Sequence, residues 1–180
     1  EFNENKMKVF YINLEKDGER RKKFMKTNYV RFPASERKDV TKIIDEKMVS
    51  YWNLPRNEHL GKCACWISHI SLLVKIVHLR LNNVLILEDD AIQLQKTLPK
   101  TVHLPQDGIT YLGGFIMNHK ITDSTKVEID HKIGVNELDK SKYQMLMAMS
   151  FFIPTWELAL EILKDMTDKP RIRAYDVMLS

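Results

Sequence analysis

The chain has 180 residues, 44% hydrophobic and 29% charged, with six Gly and six Pro; that suffices for one domain with a real core, is too little for two comfortable ones, and excludes disorder on a large scale. Its 28 basic and 24 acidic residues leave a net charge of +4, a mild excess that favours phosphate-bearing ligands but falls short of the footprint of a dedicated nucleic-acid binder. The two cysteines, Cys63 and Cys65, sit too close for a comfortable mutual disulfide, and together with a first segment that lacks the basic-then-apolar layout of a secretory signal they point to a reducing, cytoplasmic setting.

Residues 1–6 read as a tag remnant or a disordered lead-in to a single domain spanning the chain. Lys8 to Leu14 is rich in β-branched and aromatic residues and runs into Lys16-Asp17-Gly18, a turn signal, so it reads as a strand. GERRKKFMKT, residues 18–27, follows as a helix, and Tyr29 to Phe32 as a short second strand closed by Pro33. A helix is expected from Lys38 to about Trp52, on a loose stripe of Ile43, Ile44, Val49 and Trp52.

Trp66, Ile67, Ile70, Leu73, Val74, Ile76 and Val77 recur at three- and four-residue steps, the period of a helix laying one broad face on a core. This apolar region is interrupted by His69, Lys75, His78, Arg80 and two Asn, so it predicts no membrane span. Asn82-Asn83 ends the helix, and Val84 to Leu87 reads as a central strand covered on both faces. Further strands are expected at Ile109 to Leu112, Lys126 to Ile129 and Tyr143 to Ile153, and a last helix from Thr155 to Met166. Strands alternating with helices predict an α/β domain with a mostly parallel central sheet flanked by helices.

In open α/β sheets ligands collect at the carboxyl ends of the strands. Glu88, Asp89 and Asp90 follow the predicted central strand at such an end. Three adjacent carboxylates repel one another, and burial would neutralise some of them unless a cation or hydrogen-bond donors hold them ionised. A hard divalent ion with oxygen ligands, Mn²⁺ or Mg²⁺ shared with substrate phosphates, resolves that conflict. The plain alternative is a solvated loop. Ser68 and His69, one turn from Cys65, could face the same crevice, although a lone His on an amphipathic helix is more often a structural hydrogen-bonding residue. With no second Cys pair, Cys63 and Cys65 predict packing residues rather than a zinc site. The basic run Arg20, Arg21, Lys22, Lys23 and Lys26 reads as a solvated helix face, from which one arginine can reach a diphosphate. Met145, Met147 and Met149 alternate as core residues of a strand.

Acids after a hydrophobic strand also serve metal-dependent phosphohydrolases, whose aspartyl-nucleophile members typically want a DxDx[TV] arrangement near the N-terminus; here the acids lie near the middle and Ala91 follows them. A catalytically silent nucleotide-sugar-binding module is a third reading.

Taken in order, YINLEKDGERRKKF, FPAS, GKCACWISH, VLILEDDA and the closing Ala174-Tyr175-Asp176-Val177 resemble glycosyltransferase family 25, the group containing lipooligosaccharide and collagen galactosyltransferases. The resemblance implies a GT-A-like fold, a UDP-hexose donor (galactose or glucose), Mn²⁺ or Mg²⁺, and inverting transfer to a glycan or protein hydroxyl. It implies that Ile12, Asn13 and Leu14 border the nucleoside, that Arg20, Gly61, Ser68, His69, Glu88 and Asp89 contact the substrate, and that Glu88 and Asp90 hold the metal. Asp176 matches the late acid and is the candidate base. The chain departs from the family pattern at Lys62, at Ala64 and over Ser150 to Pro154.

Overall fold

A computed structural model describes residues 7–43, 56–91, 104–118 and 143–168. In chain order the described elements are β1 (Lys8–Asn13), α1 (Gly18–Lys22), β2 (Val30–Pro33), α2 (Arg37–Ile43), α3 (Arg56–His78), β3 (Val84–Glu88), β4 (Thr110–Asn118), β5 (Tyr143–Ile153) and α4 (Trp156–Asp168). The predicted strand at Lys126 to Ile129, the latter part of the predicted helix from Lys38 to Trp52 and Asp176 lie outside the described residues.

The five strands form one sheet in the order β2-β1-β3-β5-β4. β1 pairs in parallel with β2 and β3, whereas β5 runs antiparallel to both β3 and β4. The sheet is therefore mixed, which corrects the expectation of a mostly parallel one: β5 alone is reversed. The apolar pattern of a strand records which faces are covered, not which way the chain enters it, so this reversal leaves no mark in the residues of β5.

Alternation along β1 and β3 divides the core. Phe10, Ile12, Val84 and Ile86 face α3 and α4, where they meet Leu72, Leu73, Ile76, Ala159, Ile162 and Met166. Val9 and Leu85 point the other way, with Phe152, against Tyr29, Leu87 and Leu104. Tyr11 stacks on Phe24 with ring centroids 4.3 Å apart. β3 is thus the central strand, buried on both faces as its short aliphatic run predicts.

The segment read as a helix over residues 18–27 forms only α1, five residues long, and continues through turns closed by bonds from Phe24 N to Arg21 O and from Thr27 N to Phe24 O. Phe24 is its single buried side chain, and one apolar anchor among basic residues gives a helix too little burial to propagate. By contrast α3 runs for 23 residues. Its stretch Leu60–His78 is long and apolar enough to cross a membrane by length and composition, yet Leu72, Leu73 and Ile76 are fully buried under the sheet. Its end is set by Arg80, in the left-handed region at φ 49°, whose N–H donates to Val77 O while Leu81 N–H donates to Ile76 O, at 3.1 and 3.0 Å. That is a Schellman stop, completed by the apolar contact of Leu81 with the Ile76 cluster. Helix α4 begins at a capping Thr155, whose Oγ1 accepts from Leu158 N at 3.2 Å.

Candidate active site

The parallel register between β1 and β3 pairs Ile12 with Glu88, so both strands deliver their carboxyl ends to the same edge of the sheet. One residue further on, Asn13 and Asp89 meet, and Asn13 Nδ2 donates to Asp89 Oδ2 at 2.9 Å. Arg20, brought back by α1, donates from its guanidinium to the other carboxylate oxygen, also at 2.9 Å. Asp89 raises the Arg20 guanidinium above its ordinary value, chiefly through that hydrogen bond and then through charge attraction. Asn13 itself is buried. Its Oδ1 accepts from Arg21 Nε and Arg31 Nε at 3.1 and 3.3 Å, and its main-chain oxygen accepts from Ala34 N at 3.1 Å.

Helix α3 contributes the facing wall. Gly61, Cys65 and Ser68 or His69 recur at three- and four-residue steps, and the same stripe continues into the core as Leu72 and Ile76. Buried Ser68 donates from Oγ to Ala64 O at 2.7 Å and accepts from Ser35 N at 2.8 Å, which ties the Phe32–Ser35 segment to the helix. His69 is 1% exposed, with its Nε2 3.3 Å from Glu88 Oε1 and its ring tilted against Phe151 at 5.8 Å. Cys65 Sγ lies 4.0 Å from the same carboxylate oxygen. At Gly61 an added Cβ would come within 3.3 Å of Arg37 Nε, so the glycine lets the guanidinium lie against the helix.

Between these walls is a cleft of about 620 Å³. Of the residues singled out in the sequence, Ile12, Leu14, Arg20, Gly61, Ser68, His69, Glu88, Asp89 and Asp90 line it. Asn13 does not; it stands behind the lining and orients Asp89. The three acids take different surroundings instead of sharing one point. Asp89 is held by Asn13 and Arg20, Glu88 by His69 with Cys65 nearby, and among the described residues no side chain pairs with exposed Asp90.

The lining also includes Glu36, Arg37 and Lys38, which sequence reasoning did not single out, Lys16, read only as part of a turn, and Cys65, read as a packing residue. Lys38 pairs with Glu36 at 3.1 Å, and that bond and charge raise its ammonium above the ordinary value. Cys65 corrects the expectation that both cysteines are packing residues. Cys63 is indeed buried beside Val40 and Ala64, and burial pushes its thiol up, but Cys65 is exposed on the cleft side of the helix. The signal was present: Cys65 and His69 are four residues apart in a predicted helix, hence on one face.

The cleft therefore brings the carboxylates at the strand ends together with Lys16, Arg20, Arg37 and Lys38. A family model described as "Glycosyltransferase family 25 (LPS biosynthesis protein)" matches residues 6–150. No curated protein and no solved structure matches the chain.

Proposed function

The chain belongs to glycosyltransferase family 25 and is a glycosyltransferase, and from that premise we propose that it moves a hexose, galactose or glucose, from a UDP-sugar to a glycan or protein hydroxyl, with inversion, on a GT-A-like fold. One observation carries the reading of the donor site: the carboxyl ends of β1 and β3 bring Glu88, Asp89 and Asp90 to a cleft that is also lined by Lys16, Arg37 and the Arg20 that pairs with Asp89.

The donor set fits a hard divalent ion. Asp90 is exposed on the cleft lining and the Glu88 side chain is 34% exposed, so two carboxylates can supply oxygen ligands to Mn²⁺ or Mg²⁺. When bound, such an ion offsets the negative charge that grows on a departing nucleoside diphosphate. The chain's own residues do the positioning. Asn13 and Arg20 fix both oxygens of Asp89, which leaves that carboxylate oriented and its charge partly balanced before any ligand arrives. Lys16 and Arg37 offer positive charge to the diphosphate, and Ile12 and Leu14 give an apolar border for the nucleoside. Inversion needs a base on the face away from the leaving group, the role that resemblance gives to Asp176.

A thermal-shift panel of nucleotide sugars, with and without Mn²⁺, tests the proposal, because a specific ligand raises the melting point by mass action. UDP-hexoses are expected to stabilise the protein with metal only, and Asp90→Ala to abolish the shift. A shift of equal size without metal would overturn the reading.

A further inference from the structure

We propose that Cys65, His69 and Glu88 form a second kind of metal site, a three-ligand centre for a borderline-soft ion of the Zn²⁺ class, with its fourth position open to the cleft. The Sγ, imidazole nitrogen and carboxylate oxygen of these residues lie within 4.8 Å of one another. Tetrahedral zinc with ordinary bond lengths sets its sulfur, nitrogen and oxygen ligands about 3.3–3.6 Å apart. The His69 to Glu88 distance of 3.3 Å already meets that, and the Cys65 to Glu88 distance of 4.0 Å requires only a small rotation of an exposed side chain.

Three independent constraints hold the trio. Cys65 and His69 are at i and i+4 on α3 and so share a face. The β1 to β3 register fixes Glu88 opposite Ile12 at the sheet edge. Burial of His69 against Phe151 limits how its ring can turn. The ligand types choose the ion: thiolate and imidazole favour zinc over magnesium, which prefers oxygen alone. Three protein ligands with one position left over is the open arrangement of zinc centres that accept water or substrate, and all three residues line the cleft. On binding, the Cys65 thiol gives its proton to solvent and a neutral imidazole coordinates through Nε2, so the site fills with release of a proton.

Zinc held there occupies Glu88. If the donor site is as proposed above, on which this consequence rests, zinc inhibits sugar transfer supported by Mn²⁺ or Mg²⁺.

The test is titration of the metal-stripped, reduced full chain with Co²⁺, a spectroscopic stand-in for zinc. One equivalent is expected to give a thiolate-to-cobalt charge-transfer band and the intense visible bands of tetrahedral cobalt, both removed by Zn²⁺ and untouched by excess Mg²⁺. Cys65→Ser, at an exposed position, is expected to abolish the charge-transfer band and weaken binding by about tenfold or more. His69→Gln is expected to weaken it comparably, with circular dichroism confirming the fold of each variant. A wild-type protein without the thiolate band, or a band that survives Cys65→Ser, overturns the proposal. The two readings fail separately: a cobalt band with no metal-dependent UDP-hexose stabilisation sinks the donor assignment alone, and the reverse result sinks the zinc site alone.

Discussion

Asn13 commits both ends of its side-chain amide. The Nδ2 group donates to Asp89 and to Asp17 O at 2.9 and 3.2 Å, while Oδ1 accepts from two arginines. A buried amide in that position converts the cationic α1 and β2 segments and the anionic end of β3 into one hydrogen-bonded set. Truncation leaves Asp89, the Asp17 carbonyl and two arginines without the partner they share. Asn13→Ala is therefore expected to lower unfolding free energy by about 1–3 kcal/mol, read from urea denaturation, and to loosen Asp89; an unchanged midpoint would remove Asn13 from its positioning role. The sequence singled out Asn13 and Asp89 by different routes, one by resemblance and one by its acidic neighbours. Their contact follows from the strand register alone, which neither residue encodes.

Among the elements, α3 does two jobs with one stripe. Gly61, Cys65, Ser68 and His69 on that stripe are small or polar and border the cleft; Leu72 and Ile76 further along it are apolar and fully buried. Rigidity at the site thus depends on burial two turns away. Ile76 also belongs to the cluster joined by Leu81 at the Schellman stop. Ile76→Ala should cost about 2–5 kcal/mol through lost burial and a residual cavity, measured by denaturant unfolding; a loss under about 1 kcal/mol would mean the helix end repacks freely. The periodicity that predicted α3 was legible because it spans many turns. Its start was not: Arg56 opens the helix five residues before Gly61, since nothing in RNEHL opposes continuation and no apolar period marks it.

At the scale of the whole molecule, a net charge of +4 conceals local order. Glu15 pairs with Arg31 at 2.6 Å and Arg21 at 3.6 Å, and the hydrogen bond and charge of Arg31, followed by the charge of Arg21, hold its carboxyl below the ordinary value of 4.5. A carboxyl depressed in the folded state contributes stability that is fully present above that ordinary value and lost as pH falls through the lowered one. Because Glu15 is exposed, the effect is small and screened by salt. Glu15→Gln is expected to flatten the acid limb of the stability profile below about pH 4.5, with no difference from wild type in high salt. A steeper acid limb in the variant would reverse the assignment.

The amino-acid sequence by itself determined the α/β class, the buried central strand and the acids at its end, because burial and period are local properties written residue by residue. The family resemblance, carried by ordered short motifs, was legible for the same reason. Tertiary structure alone decided the mixed sheet, the separate surroundings of Glu88, Asp89 and Asp90, and the exposure of Cys65 beside His69. Those depend on strand direction and on which distant groups meet, and pairing across the fold is set by the geometry of the whole sheet rather than by any one segment.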